Sequence, residues 1–499
     1  MHSMSRHEFL KLATAGAAAT MAFPPPLQAA SPGAQRPNIL LVLSDDHSAP
    51  HVGCYGNPDI RTPNLDRFAS QGMRFDRAYV TCPQCVPSRA SIMSGRSPVG
   101  IQMTRFSAPL PAEVKIFPEL LRTQDYFAGV AGRTYHLDGS DGPPAETEKV
   151  FREHNLRTFA KRLDYVKTTS GGARIFEQFR EFLDRVPQGK PFVLQLCFND
   201  PHRPLDKQAI PQPHDPQKIK LPAHYPDTPA VREDIARYYD EIARLDGDFG
   251  KVPEELDKRG LADNTLVMFM GDNGASQFRG KGTLYEFGIH VPLIVRWPGK
   301  VKAGSTTSEL VSGEDLAPTF LETGGAPEPG EMTGHSFLNL LLGKPFEGRT
   351  YVFAERGAHG SSLPNSSAAF DLGRCVLTKM HKLIYNALWQ LPYTPVDFNN
   401  DAFWKELRAL NEQGKLSPEM SLLYFSPTRP MFELYDLQND PCEFNNLIGK
   451  PECATLEREL KAALQEWMIL ERDYLPLPIP PVSGQKAQKK VAGKKAKAE

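Results

Sequence analysis

The chain has 499 residues, of which 40% are hydrophobic and 23% are charged, and its formal net charge is −1. This composition is that of a globular protein, and the length exceeds what one ordinary domain encloses around a single core. A chain so close to neutral lacks the basic surface of a general nucleic-acid binder, so we expect no nucleic-acid partner.

Residues 1–35 are typical of a targeting segment followed by a linker. A charged stretch at 5–11 precedes an apolar, alanine-rich stretch at 12–23, and small residues follow at 27–30. This order is that of an export signal, and it resembles a twin-arginine signal in which His7 replaces the second arginine. We therefore predict a periplasmic or secreted protein, exported by a twin-arginine or Sec route. The apolar stretch is too short for a membrane span and no later segment reaches spanning length, so we expect no transmembrane anchor.

Three continuous apolar runs of strand length predict strands that are buried on both faces. They are residues 38–43, 192–198 and 265–270. Such runs are typical of parallel sheets. Helical patterns lie between them, at 174–186 and 231–249. The alternation predicts an α/β fold with a large, mostly parallel sheet flanked by helices.

A second, smaller region is predicted to begin at residue 349. Short apolar runs at 351–354 and 382–385 suggest antiparallel strands, and 456–470 has the pattern of a packed helix. We expect a C-terminal α+β subdomain with an antiparallel sheet. The chain then divides into a signal segment and linker (1–35), a large α/β domain (36–348), the C-terminal subdomain (349–480) and a disordered Lys/Ala-rich tail (481–499).

Polar residues follow each of the three buried runs. Asp45 and Asp46 follow the first, His202 lies just beyond the second, and Asp272 and Asn273 follow the third. Ligands of open α/β sheets bind beyond the carboxyl ends of the strands, so these clusters are expected to meet. Crowded carboxylates repel one another unless a cation lies among them, and oxygen ligands suit Ca²⁺ or Mg²⁺. The alternative is that each pair only caps a turn or a helix.

Cys85 lies in the run Cys-Val-Pro-Ser-Arg-Ala-Ser, where an extended segment is predicted to turn into a helix. From the residues alone, Cys85 beside Arg89 is either a thiol nucleophile of low pKa or a structural cysteine. The chain has seven cysteines in all, and we nominate Cys442 and Cys453 as a disulfide pair.

Together these motifs resemble the type I sulfatases of the alkaline-phosphatase superfamily. The Cys-x-Pro-Ser-Arg run, with Ser-Gly-Arg behind it, is the most specific of the matches. The matching segments, in order, are 38–46, 62–66, 85–96, 132–136, 201–202, 271–274, 281–286, 433–437 and 440–441.

The resemblance implies a chemistry for each motif. A formylglycine-generating enzyme would convert Cys85 to Cα-formylglycine, whose hydrate is the nucleophile. The resemblance further implies that Ca²⁺ is bound by Asp45, Asp46, Asp272, Asn273 and the modified Cys85.

The remaining catalytic roles are also carried over from the family. Arg89 would hold the hydrate, and His136 would act as a base on it. Lys281 and His202 would neutralise the sulfuryl oxygens, and either would protonate the leaving group. Arg133 stands where many relatives have lysine, and the segment around Phe287 and His290 also departs from the family pattern.

Residues 381–403 and 198–203 resemble heparan N-sulfatases (sulfamidases). This likeness implies a sulfated carbohydrate substrate, with N-sulfoglucosamine the sharpest expectation, and it makes Arg356 and His359 candidates for substrate binding. Two other functions stay open. One is a phosphate or phosphonate monoester hydrolase of the same superfamily, and the other is a non-catalytic binder of sulfated glycans if Cys85 is never oxidised.

Overall fold

The fold is built around a central strand, residues Asn38–Ser44, which is buried along its whole length. The structure is a computed structural model and describes residues 36–104, 109–134, 137–138, 145–169, 171–359 and 370–477. The predicted export signal and disordered tail lie outside these residues.

Fourteen strands are present in the described residues. In chain order they are β1 Asn38–Ser44, β2 Met73–Phe75, β3 Ala78–Tyr79, β4 Phe127–Gly132, β5 Tyr165–Val166, β6 Phe192–Cys197, β7 Thr265–Gly271, β8 Leu293–Arg296, β9 Ser305–Thr307, β10 Val311–Ser312, β11 Val352–Ala358, β12 Phe370–Leu377, β13 His381–Asn386 and β14 Phe432–Asp436.

The α-helices of the same residues cover both faces of the large sheet and pack against the C-terminal sheet. They are α1 Pro63–Ser70, α2 Cys85–Ser94, α3 Phe117–Arg122, α4 Ala145–Glu153, α5 Phe159–Arg162, α6 Gly172–Arg185, α7 Pro229–Lys258, α8 Glu286–Ile289, α9 Leu316–Gly324, α10 Leu338–Leu341, α11 Ala402–Glu412, α12 Pro418–Phe425 and α13 Ala454–Leu470. No helix among the described residues is both long enough and apolar enough to cross a membrane.

Within the part of the chain that the structure describes, eight strands form the large sheet, in the order β5-β4-β6-β1-β7-β8-β2-β9. Strand β1 runs parallel to both β6 and β7, and of these eight strands only β8 runs antiparallel to its two neighbours. Alternate side chains of β1 enter opposite cores: Leu41 packs on one face and Leu40 on the other. The predicted α/β class with a mostly parallel sheet is confirmed.

The C-terminal region contains a four-stranded antiparallel sheet, in the order β11-β12-β13-β14, as the sequence predicts. Helix α13 packs on it through Leu460, Leu464 and Met468, which are buried with residues of β12 to β14. The domain boundary near residue 349 stays a prediction.

The nominated disulfide is not formed, because Cys442 and Cys453 are both free thiols. The backbone carbonyl of Cys442 accepts a hydrogen bond from Arg279, whereas Cys453 packs into the apolar cluster beneath α13. The two cysteines therefore lie in different environments. Their closeness in the sequence does not indicate a disulfide.

Candidate active site

Three strand ends are tied together by backbone hydrogen bonds at the carboxyl edge of the large sheet. The amide of Asp45 donates to the carbonyl of Asp200 at 3.2 Å, and the amide of Asp272 donates to Ser44 at 3.0 Å. The amide of His47 donates to Asn273 at 2.8 Å. The polar residues that follow β1, β6 and β7 are therefore brought into one cluster, as the sequence predicts.

Oxygen atoms crowd at this edge in a space closed to solvent. Asp45, Asp46, Asp272 and Asn273 are all fully buried. The amide of Asp46 donates to Asp272 Oδ1 at 3.1 Å, and Asn273 Nδ2 donates to Asp46 Oδ1 at 2.8 Å. Ligand atoms of Asp45, Asp46, Cys85 and His202 lie within 4.8 Å of one another.

Two observations indicate that this oxygen cluster fits a cation. Asn273 Oδ1 is buried and has no hydrogen-bond partner among the described residues. Burial raises the pKa of both Asp46 and Asp272, and the neighbouring Asp45 carboxylate raises them further. A hard divalent ion would neutralise this repulsion and use the free carbonyl oxygen, so the donor set suits Ca²⁺.

Cys85 is the first residue of α2 and is fully buried beside the carboxylates. Its thiol donates to Asp45 Oδ1 at 3.3 Å and reaches Asp46 Oδ1 at 3.9 Å. Burial, and then the negative charge of Asp45, raise the pKa of Cys85 well above its usual value. The unmodified side chain is therefore a neutral thiol, and the alternative of a thiol nucleophile with a low pKa has no support.

Arg89 and Arg133 hold the carboxylate of Asp45 from two sides. Arg89 bridges Asp45 Oδ2 at 3.0 Å and Asp272 Oδ2 at 2.8 Å, and Arg133 Nε lies 2.9 Å from Asp45 Oδ2. Although burial opposes it, Arg133 and Arg89 hold the pKa of Asp45 well below its usual range. The two guanidiniums thus keep one carboxylate ionised in a buried site.

Lys281 closes the opposite side of the cluster. Its Nζ lies 2.9 Å from Asp46 Oδ1 and 2.7 Å from Asp397 Oδ2, and its side chain is 1% exposed. Burial acts against the charge, but Asp397 and Asp46 raise the pKa of Lys281 well above its usual value. Lys281 therefore stays protonated.

His202 lies between Lys281 and Arg133 with a defined tautomer. Its Nδ1 contacts the carbonyl of Arg203, and an acceptor there requires the proton on Nδ1. Its Nε2 then accepts from Arg133 Nη2 at 3.2 Å. Burial and the charge of Lys281 lower the pKa of His202 to about 3, so the ring is neutral and its Nε2 lone pair accepts the hydrogen bond from Arg133.

The other predicted site residues are placed differently. His136 lies outside the described residues. Arg356 is 1% exposed and lines a separate cavity of about 750 Å³ between the antiparallel sheet and α12, with Arg279 and Arg429. The ring of His359 reaches the active-site cleft indirectly, because its Nε2 lies 3.3 Å from Asp397 Oδ1.

Asp397 is a site residue that sequence reasoning missed. It lies in a loop between β13 and α11, far in sequence from every motif, and contacts Lys281 and His359. Its neighbours Val396 and Phe398 give no catalytic pattern, so no local signal marks it. Only the folding of the C-terminal region against the large sheet brings it to the cleft.

Comparison with protein families gives two matches. Residues 37–326 match the sulfatase family, and residues 274–401 match the C-terminal region of N-sulphoglucosamine sulphohydrolase. The chain belongs to the sulfatase family. It is a sulfatase. The family and the enzyme class that the sequence predicts are both confirmed.

Two characterised relatives align over most of this sulfatase. An ulvan-active sulfatase of Formosa agariphila is 27% identical over 470 residues, which cover 89% of this chain and 76% of that protein. Human N-sulphoglucosamine sulphohydrolase is 28% identical over 469 residues, covering 86% of this chain and 89% of that enzyme.

Solved structures share the fold at lower identity. A protein in complex with its substrate D-glucosamine-2-N,6-O-disulfate is 20% identical, with a TM-score of 0.64 over 88% of this chain and 99% of that one. A phosphonate monoester hydrolase from Silicibacter pomeroyi, also 20% identical, has a TM-score of 0.66 over 88% of this chain and 96% of that one. The same fold therefore occurs in a protein that takes a sulfated sugar as substrate and in a phosphonate monoester hydrolase, and it does not choose between the two functions.

Proposed function

We propose that this sulfatase hydrolyses sulfate esters or sulfamates on sulfated carbohydrate, with formylglycine at position 85 as its nucleophile and Ca²⁺ as its metal. The observation that carries the proposal is the position of Cys85. It opens a buried helix inside the Cys-x-Pro-Ser-Arg run and contacts the carboxylates that surround the candidate cation position. An inert thiol at that place has no catalytic use until it is oxidised.

The metal would be held by Asp45, Asp46, Asp272, Asn273 and the modified residue 85. Bound Ca²⁺ would supply the positive charge that orients the sulfate group and stabilises the charge that develops on its oxygens. The chain itself contributes the rigid carboxylate frame. Arg89 fixes two of the carboxylates at 3.0 and 2.8 Å, so they are aligned before the ion arrives.

The other polar side chains supply charge neutralisation and proton transfer. Lys281 stays charged and neutralises the sulfuryl oxygens as the sulfur–oxygen or sulfur–nitrogen bond breaks. His202 is the proton carrier: an anionic sulfate beside it would raise its pKa, so that Nε2 takes up a proton from solvent and then gives it to the leaving group. Arg133 adds charge and orients His202. From the family resemblance, we assign His136 the role of the base that restores the aldehyde.

A sulfated sugar is the substrate class we propose, with an N-sulfoglucosamine residue as the specific expectation. The support is the family match of residues 274–401, which includes Lys281, Arg356, His359 and Asp397. The human relative of that name aligns along 86% of this chain. The proposal also includes export, from the pattern of residues 1–35, and maturation by a formylglycine-generating enzyme.

The competing functions are separated by activity on two esters of one phenol. The enzyme is produced together with a formylglycine-generating enzyme, and kcat/KM is measured for 4-nitrophenyl sulfate and 4-nitrophenyl phosphate. We expect the sulfate to be preferred by at least about 100-fold, equivalent to about 2.7 kcal/mol. A preference for phosphate would assign the chain to the phosphate and phosphonate monoester hydrolases.

The matched control is Cys85→Ala, which removes the nucleophile and leaves the carboxylates and cations in place. It should bind sulfated ligands without turnover. Turnover by this variant equal to the wild type would contradict the role of residue 85. Binding without turnover by the fully matured wild-type enzyme, over a panel of sulfated sugars, would instead favour the non-catalytic binder.

A further inference from the structure

Asp397 is fixed in place by the residues on either side of it. Val396 is 2% exposed and packs where Gly282 leaves room, next to Lys281. Phe398 is fully buried and stacks on Phe403, the second residue of α11, with ring centroids 5.3 Å apart. The backbone between these anchors has φ 70° at Asp397. Two buried anchors hold the carboxylate at one position on the cleft wall, where its side chain is 26% exposed.

The partners of Asp397 define which groups it can still bind. Oδ2 contacts Lys281 Nζ at 2.7 Å, and Oδ1 lies 3.3 Å from His359 Nε2. The side-chain amide of Gln84 donates to His359 Nδ1 at 2.8 Å, since the same amide nitrogen also donates to the carbonyl of Ala358. His359 therefore carries its proton on Nε2 and donates to Asp397. An ionised carboxylate accepts up to about four hydrogen bonds, so these two donors leave acceptor capacity toward the cleft.

A cleft of about 580 Å³ opens beside Asp397 and His202. Among the described residues that line it, four are carboxylates and two are guanidiniums. These charged residues are Asp397, Asp401, Asp234, Glu233, Arg203 and Arg237. Arg203 pairs with Asp234 and Asp401, and Arg237 pairs with Glu233 at 2.8 Å. The cleft thus has an excess of negative charge immediately next to Arg133 and Lys281, two cations of the active site.

The site therefore has two sides, one that favours an anion and one that favours a hydrogen-bond donor or a cation. A sulfate group is favoured on the side of Arg89, Arg133 and Lys281, and it is repelled from the cleft wall by the carboxylates. The cleft wall instead favours hydroxyl or ammonium groups, which donate hydrogen bonds to carboxylates. The sugar that carries the reacting sulfate would lie there.

We propose that Asp397, oriented by His359 and Lys281, accepts a hydrogen bond from a hydroxyl or amino group of the sugar that bears the reacting sulfate. It is thereby a specificity-determining residue that selects a hydrogen-bond donor, and not a second sulfate, in this cleft. The inference rests on the proposed function of this site. The proposed function names only the class of substrate, whereas this inference assigns recognition of the sugar to the carboxylate of Asp397.

The test compares a sugar substrate with a substrate that has no sugar. For the matured enzyme and for Asp397→Asn, kcat and KM are measured with N-sulfoglucosamine and with 4-nitrophenyl sulfate. If N-sulfoglucosamine is not cleaved, it is replaced by the best-cleaved member of a panel of monosulfated monosaccharides. We expect the variant to lose at least 10-fold more kcat/KM on the sugar than on the aryl sulfate, with the extra loss mainly in KM; any loss through the contact of Asp397 with Lys281 is common to both substrates.

Two controls guard against a structural explanation. Asp184→Asn removes a surface carboxylate that pairs with Arg259 outside the cleft, and it should change neither substrate. His359→Gln should reproduce the selective loss on the sugar, to a smaller extent, because it disturbs the orientation of Asp397. The melting temperatures of the variants are compared with that of the wild type.

The other possible results distinguish failure of this proposal from failure of the proposed function. Equal losses on both substrates would overturn the proposal and leave Asp397 as a residue that only positions Lys281. No selective loss on the sugar would also overturn it. A wild-type enzyme that cleaves neither sulfate esters nor sulfamates, or that prefers phosphate, refutes the proposed function itself and is seen before any variant is made.

Discussion

At the scale of single residues, the site is an arrangement of buried charges that is incomplete as protein alone. Asp46 and Asp272 repel each other and Asp45, and the free oxygen of Asn273 has no protein partner among the described residues. The pattern of acids after two buried strands predicts this arrangement. Asp397 is not predicted, because a single aspartate in a loop has no distinguishing spacing.

The first prediction concerns calcium and pH. Asp46 and Asp272 have pKa values raised above the ordinary value of 3.8 by burial and by Asp45. Their ionisation in the folded, metal-free protein is therefore unfavourable, so stability falls as pH rises from about 4 to about 7. Bound Ca²⁺ favours the ionised forms. Its stabilising effect should be larger at pH 7.5 than at pH 5.

Thermal unfolding with excess Ca²⁺ and with a chelator, at both pH values, measures this difference. At a free Ca²⁺ concentration 100 times the Kd, the added stability at pH 7.5 should be about 2.7 kcal/mol. Asp272→Asn should abolish most of the effect. An equal Ca²⁺-induced shift in the wild type and in Asp272→Asn would contradict the assignment of the ligands.

At the scale of elements, the strand ends determine where catalytic side chains lie. The buried runs at 38–43, 192–198 and 265–270 are strands in the structure, with bounds within one residue of those predicted. Helix α7 is longer than the predicted 231–249, because it begins at Pro229 after the Thr228 cap and continues past Pro253. Buried Val252 and Leu256 extend its packed face, and this packing outweighs the local cost of a proline. Tertiary contacts of this kind are not visible in the sequence.

The second prediction tests how the end of β4 positions Arg133. Gly132 has φ 82°, and a Cβ added there would overlap the carbonyl oxygen of Cys197 on the neighbouring strand β6. Gly132→Ala should therefore move the strand end, cost more than about 2 kcal/mol of stability and lower kcat/KM by at least 10-fold.

Gly189→Ala is the matched control for this prediction. Gly189 has a similar φ of 77°, but an added Cβ meets nothing within 4 Å. Its cost should be about 1 kcal/mol, from backbone strain alone, with activity unchanged. Urea denaturation and steady-state kinetics measure both variants. Equal costs at the two glycines would mean that the close approach of β4 and β6 is unimportant.

At the scale of the whole molecule, stability depends on charges that are buried away from the active site. Glu355 of β11 is fully buried, and neither of its carboxylate oxygens has a hydrogen-bond partner among the described residues. The nearest cation, Arg374, lies 3.7 Å away and pairs with Asp473 at 2.5 Å. Burial, only partly offset by Arg374, raises the pKa of Glu355 to about 7. This burial could not be foreseen, because the strand sequence does not show which face α13 and its following segment cover.

The third prediction follows from this buried carboxylate. Its pKa in the folded state exceeds the ordinary value of 4.5, so its ionisation destabilises the fold as pH rises through the window from about 4.5 to about 7. Glu355→Gln stays neutral throughout. At pH 8 the variant should be more stable than the wild type by about 1–3 kcal/mol, because each unit of pKa corresponds to about 1.4 kcal/mol. At pH 5 the two should be nearly equal.

Urea denaturation of both proteins at pH 5 and pH 8 gives the comparison. A variant that is destabilised equally at both pH values would show that Glu355 is stabilised by partners and not strained by burial.

The central claim is that residue 85 acts as formylglycine. The most direct test is mass spectrometry of the peptide that contains residue 85, from protein isolated from its native host. The account predicts a peptide that has lost the sulfur of Cys85 and gained an aldehyde, and that reacts with a hydrazide probe. A peptide that carries only an unmodified thiol at position 85 would contradict it.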